Sequence, residues 1–192
     1  MTNPPHPSPL AGYEAAAAQL TDDRNDDGKS LRNTQTGVPS TAYSQFPSPL
    51  DNGIRGGLLV PSHPFPYLSV NTPRSDVHIY HVQTAPDQVQ YSKDLWARIR
   101  LEFPELRIYR RWDQPVGPHP VGMFEVNLST PAQFGAFVPW LVVWRGPLSV
   151  LVHPNSTETD VGVGEREERN HVERAFWLGE RWPLVTSIFG RM

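Results

Sequence analysis

The sequence predicts an α+β fold of the ferredoxin-like βαββαβ type with an extra C-terminal helix. Three observations carry this. Beyond about Asp76, short segments with a two-residue apolar period alternate with longer ones at helical spacing. Pro and Gly clusters separate them. Residues 1–71, in contrast, are rich in Pro, Ser, Thr, Asn, Asp and Gly and show no sustained apolar period.

Taken in order, Val77 to Val82 alternates as a strand, and Gln88 to Phe103 places Val89, Leu95, Ile99 and Phe103 at helical spacing until Pro104 stops the helix. Leu106 to Trp112 alternates again, and PVGPHP makes a stiff turn into Val121 to Leu128, so these two form a hairpin. Thr130 followed by Pro131 reads as an N-cap with proline at the first helical position, opening a helix over Ala132 to Trp144 that Arg145 and Gly146 close. Leu148 to His153 is a fourth strand. After a polar loop, Glu165 to Leu178 reads as the last helix. In the arm 1–71, the only helical reading is Tyr13 to Leu20, too short to be stable alone. Residues 72–192 therefore form the expected folded domain, and 1–71 an N-terminal arm.

Composition sets limits. A formal charge of −3 gives no electrostatic reason for a nucleic-acid or anionic-membrane partner. The chain has no cysteine, so any metal must be held by histidine, carboxylate or water. There is no charged-then-apolar leader and no run of about 18 apolar residues, and a cytoplasmic protein is expected. GVGE at Gly162 to Glu165 lacks the spacing and lysine of a phosphate loop.

Strand alternation divides the sheet into two faces. Val77, Ile79, Phe124, Val126, Leu128, Leu148, Val150 and Val152 form the face packed by helices. The other face carries His78, Tyr80, Met123, Glu125, Ser149, Leu151 and His153, and His119 continues the parity of Glu125. His78, His119, His153 and Glu125 are thus the candidate ligands of one divalent metal, because neutral imidazoles with an optional carboxylate leave positions open for substrate. His81 has the parity of the core face. The aromatic series Phe134, Phe137, Trp140 and Trp144 lies at helical spacing and reads as core. His6 and His63, in the Pro-rich arm, are read without a metal role. A sheet covered by helices on one side needs a partner on the other, either a second protomer or the N-terminal arm.

The segments VHIYHV, EFPELRIYRRWDQPVGPHPVGMFEVNL, TPAQFGAFVPWLVVWRGPLSVLVHPN and HVERAFWLGE resemble the DOPA 4,5-dioxygenase family of fungi and bacteria, over about Asp76 to Leu184. The pairing of GPHP with a downstream LSVLVHPN carries most of the likeness. The resemblance implies a ferredoxin-like homodimer that uses non-haem Fe(II) and O2 to cleave the ring of a catechol such as L-DOPA. Zinc or another divalent metal is the expected substitute in a purified sample. It also implies that His78, His119 and His153 surround the metal, and it adds His171 as the candidate general base, with Tyr80 or His81 behind it. Many bacterial members carry histidines where Asp76 and Trp112 stand here. Trp112 is expected either to stack on a substrate ring or to close its strand. Arg110, Arg111 and Arg145 are the candidate cations for the substrate's amino-acid end. Two other functions fit the same fold: a repurposed pocket acting as a cyclase or isomerase, and a non-catalytic module binding a metal or an aromatic ligand.

Overall fold

The computed structural model describes residues 7–33, 40 and 75–192. His6, His63 and the expected boundary at 71 lie outside the described residues. The elements are α1 (Glu14–Ala17), β1 (Ser75–His81), α2 (Pro86–Glu102), β2 (Arg107–Ile108), β3 (Gly122–Leu128), α3 (Pro131–Trp144), β4 (Ser149–Pro154), α4 (Val163–Glu168), a π-helical turn at Arg169–Glu173, β5 (Phe176–Leu178) and a 3-10 turn at Thr186–Arg191.

The sheet order is β2-β3-β1-β4-β5, antiparallel throughout. Its first four strands have the ferredoxin-like arrangement, with β1 and β3 adjacent at the centre and β4 beside β1. Register fixes the faces. Val77 stands opposite Val126 and Val152, and Ile79 opposite Phe124 and Val150. These side chains join Leu95, Ile99, Phe103, Phe137 and Leu141 in the main core, with Trp96, Phe134 and Trp144 packed at its margin. The aromatic series of α3 is core, as its spacing predicts. α3 starts where expected, because Thr130 accepts from Gln133 N while the Gln133 side chain accepts from Thr130 N, a reciprocal cap that answers two otherwise open donors.

Three elements differ from the sequence reading, each for a non-local reason. The second strand is a two-residue ladder followed by a bulge. Ile108 faces Val126 whereas Trp112 faces Met123, so one extra residue is spent on the β2 side and Trp112 turns onto the Met123 face. The last helix does not run to Leu178. It ends in the π turn, and Phe176–Leu178 becomes β5, which pairs with β4 from Val150↔Leu178 to Val152↔Phe176 and covers that sheet edge. The second sheet face is covered by the chain's own C-terminal segment and by the 112–121 turn: Tyr80, Val121, Met123 and Leu151 are packed by Trp112, Val116, Trp177, Trp182 and Leu184.

The described part of the arm lies on α2 and the β2 edge. Arg98 donates to Pro9 O and stacks on Tyr13, and Leu31 N donates to Ile108 O. Arg100, 1% exposed, donates to Thr21 O and Arg32 O, so a charge buried beneath the arm is met by backbone carbonyls. No helix among the described residues is long and apolar enough to cross a membrane.

Thr130→Ala removes the acceptor of the α3 cap and is expected to lower stability by about 1 kcal/mol. Phe124→Ala, at the centre of the core, is expected to cost about 3–5 kcal/mol. Urea unfolding checks both, and the order of the two losses is the discriminating result.

Candidate metal centre

Four histidines meet on the second sheet face, all buried: His78 on β1, His119 in the turn before β3, His153 on β4 and His171 in the π turn. The turn at His119 is tight. Val116 and His119 exchange both backbone hydrogen bonds, and Gly117 at φ 56° supplies the left-handed residue between them. Ring centroids lie 4.2 Å apart for His78 and His119, 5.1 Å for His78 and His153, and 3.9 Å for His153 and His171. His78, His153 and His171 each offer a ring nitrogen within 4.8 Å of the others.

The outer nitrogens settle which atoms face inward. His153 Nδ1 lies 3.0 Å from Pro154 O and His171 Nδ1 2.8 Å from Glu167 O. A carbonyl only accepts, so both Nδ1 atoms carry hydrogen, and in the neutral rings both Nε2 atoms are bare lone pairs. His78 Nε2 approaches His153 Nε2 to 3.0 Å and must supply the proton between them. That leaves His78 Nδ1 bare, buried and without a partner, 4.0 Å from the Glu125 carboxylate. The arrangement calls for a cation. With a metal in place of the shared proton, His78 offers Nε2 as a lone pair and its Nδ1–H points toward Glu125, the carboxylate-to-imidazole support common behind metal-binding histidines.

Electrostatics agrees with neutral donors. Burial, and then the neighbouring imidazoles, hold His78 well below its ordinary range and push His119 and His153 down to about 3; burial also lowers His171. Tyr80, raised by burial, remains a phenol. Its hydroxyl lies 2.7 Å from His119 Nδ1, the acceptor that the buried O–H requires, so His119 carries its proton on Nε2.

Of the expected metal residues, His78 and His153 meet directly and Glu125 stands behind His78. His119 lies directly against His78 and is held from behind by Tyr80, and His171 completes the inward-facing set. Sequence reading placed His171 near the metal as a base because its residue spacing gave no sign of a π turn aiming it at His153. Trp112 packs on the same face beside Met123, with Arg110 over its ring at 5.5 Å. Arg145 donates to Gly146 O and Leu148 O, at the end of β4 about 13 Å from His153 by strand rise. Arg111 and His81 lie toward α2, sharing Ser92 and Asp113.

On the same face, beyond Glu125, a cavity of about 530 Å³ is lined by Asp76, Arg107, Tyr109, Glu125, Asn127, Asn155, Glu167 and neighbouring loop residues. Burial, and then the Glu125 charge, push Asp76 up to about 7, and burial raises Glu125 as well.

A small α+β protein with buried, neutral imidazoles converging on one point has the donor set of a metal-binding protein. The chain belongs to the DOPA 4,5-dioxygenase family, whose model matches residues 75–188. An uncharacterized 21.2 kDa protein of Botryotinia fuckeliana is 52% identical over 97% of this chain and 92% of its own length. The DOPA 4,5-dioxygenase of Amanita muscaria is 33% identical over 56% of this chain, a match that spans 45% of the Amanita protein. A crystal structure of a proposed dioxygenase from Nostoc punctiforme is 30% identical, covering 62% of this chain and 92% of that one with a TM-score of 0.49. Family membership supports a function of dioxygenase type.

The buried histidines tie stability to pH in the metal-free protein. Their folded pKa values lie below the ordinary 6.5, so the unfolded chain binds more protons between pH 6.5 and about 3, and stability falls as pH falls through that window. At pH 5.5, His119 and His153 are each expected to cost about 1.4 kcal/mol relative to pH 8. Asp76, raised to about 7, opposes this with the reverse sign. Urea midpoints at pH 8 and 5.5 check the net loss, which Asp76→Asn is expected to deepen.

Proposed function

We propose that the protein is a non-haem Fe(II) extradiol dioxygenase that opens the ring of a catechol such as L-DOPA with O2, giving a muconic semialdehyde. The observation that carries this reading is the convergence of one ring nitrogen each from His78, His153 and His171 to within 4.8 Å of one another. Three neutral nitrogen donors on one side of an ion leave the remaining positions to substrate and oxygen. Family membership supports the same choice of chemistry. An Fe(II) held there supplies Lewis acidity toward the two catechol oxygens and a redox centre for dioxygen.

The chain's residues have four tasks. His78, His153 and His171 hold the ion, which makes His171 a ligand rather than the base. The carbonyls of Pro154 and Glu167 accept from His153 and His171 and fix those two rings in the binding tautomer, and Glu125 stands 4.0 Å from His78 Nδ1, placed to favour a proton there. His119 keeps a proton on Nε2, with Tyr80 fixing that tautomer from behind, and serves as the acid/base group that exchanges a proton with the catechol hydroxyl or the developing product. Trp112, Trp177, Trp182 and Leu184 exclude water from the face around Tyr80. Of the three expected substrate cations, Arg110 lies over the Trp112 ring on the site face and is the one this reading uses. The homodimer belongs to this reading as an expectation carried by the family likeness, and the cytoplasmic setting as an expectation from the sequence.

The test is oxygen uptake by the anaerobically Fe(II)-loaded protein given L-DOPA and a panel of catechols, with product mass. Uptake is expected with a product two oxygen atoms heavier than the catechol. His153→Ala and His171→Ala are expected to lose both bound iron and uptake. His119→Gln is expected to keep the iron and lose about 10²–10⁴-fold in turnover. Bound metal with no uptake from any catechol would favour a cyclase, an isomerase or a binding module instead, and iron loss in His119→Gln would return His119 to the ligand set.

A further inference from the structure

We propose that the cavity beyond Glu125 is a binding site for an organic ammonium group, held by Asp76, Glu125 and Asn127. Three observations on these residues support it. First, Asp76 and Glu125 are brought together by the β1–β3 register and bridged by one amide: Asn127 Nδ2 donates to Asp76 Oδ1 at 2.6 Å and to Glu125 Oε1 at 2.7 Å. Neither carboxylate is paired with a lysine or arginine among the described residues; Asp76 has a further hydrogen bond only from Asn155, and Glu125 faces His78 at 4.0 Å. Two close carboxylates without a cation are an unbalanced arrangement in a half-enclosed site.

Second, Asn127 is 3% exposed, lines the cavity, and its Oδ1 has no hydrogen-bond partner. A buried carbonyl oxygen of this kind is seldom left unanswered. The carboxylate oxygens not held by Asn127 and this amide oxygen are all acceptors, and an ammonium brings three donors with one positive charge. Third, the two arginines in the lining pair with carboxylates other than Asp76 and Glu125. Arg107 pairs with Asp27 at 3.4 Å, and Arg166 pairs with Glu167 at 3.7 Å and donates to Glu158 O. A cavity of about 530 Å³ is sized for an organic molecule rather than a bare ion.

The cavity adjoins the histidines through Glu125, which faces His78, and Glu167, whose carbonyl holds His171. The ammonium can therefore be the tail of the ring substrate or a separate small amine. Only the first alternative rests on the dioxygenase reading.

Calorimetry on the metal-free full chain tests the site with tyramine, 4-ethylphenol and ethylamine. Tyramine is expected to bind at least about tenfold more tightly than 4-ethylphenol, the fold-change of one charge-assisted hydrogen bond. Asp76→Asn, which keeps the side-chain shape, is expected to bring the two within about twofold while leaving 4-ethylphenol unchanged. The wild-type comparison stands without any variant, so misfolding of Asp76→Asn does not mask the result. Equal binding of tyramine and 4-ethylphenol, or no binding of any amine, overturns the proposal. Anaerobic titration of the Fe(II)-loaded protein with dopamine and 4-ethylcatechol separates the sources. A matching advantage for dopamine identifies a substrate tail, whereas ethylamine binding that leaves 4-ethylcatechol unaffected identifies a separate amine. Oxygen uptake with 4-ethylcatechol but no amine preference would leave the dioxygenase reading standing and remove this site. The reverse pattern would keep the site and remove the reading.

Discussion

The antiparallel register of β1 with β3 and β4 is the constraint on which the rest of the structure depends. With side chains alternating at every step, placing Val77 opposite Val126 and Val152 commits Ile79, Phe124 and Val150 to the helix-packed core. The same commitment puts His78 beside Glu125 and brings Asp76 level with His153. A slip of one residue would move the histidines into the core and the valines into the polar site. Core packing and site assembly are therefore one decision, and the hydrophobic stabilisation of the first holds the second in place.

The histidine cluster shows how a dry site selects its own chemistry. Imidazoles removed from water and set against one another give up their protons, and neutral imidazole is the form that binds a metal. The backbone carbonyls of Pro154 and Glu167 then choose the tautomer by accepting from Nδ1. His78 has no such carbonyl and is left with an orphaned nitrogen facing a carboxylate. That one unsatisfied group is what sets this cluster apart from histidines merely buried together, and it fits a metal-holding role. His119 follows the opposite logic, because a phenol behind it needs an acceptor and so keeps the imidazole's proton on the inner edge.

The C-terminal segment completes what the βαββαβ unit leaves open. β5 covers the edge of β4, Trp177 stacks on Tyr80 at 5.3 Å, and Phe189 lies 5.2 Å from His171. Gly164 lets the α4 backbone pass directly against the carbonyl of Phe189, where a Cβ would have no room. Next along the chain, the wider π turn at Arg169–Glu173 carries His171, whose ring lies 3.9 Å from that of His153.

Sequence by itself determined the strand and helix order, the division of the sheet into two faces, the cap at Thr130 and the placing of His78, His153 and Glu125 on one face. Those features follow from period-two alternation, from helical spacing and from caps built within four residues, all of which are local. It also brought His119 and His171 to the neighbourhood of the site through their motifs. Only the tertiary structure decided the rest. The bulge that turns Trp112 onto the site face appears only when β2 is laid against β3. The conversion of Phe176–Leu178 from helix to strand needs the free edge of β4. Arg145 stands at the far end of the strand that carries His153, a separation set by strand rise and invisible in a list of basic residues. The inward placement of His171 depends on a segment folding back across β4 and β1, the latter far earlier in the chain, a contact that no local pattern encodes.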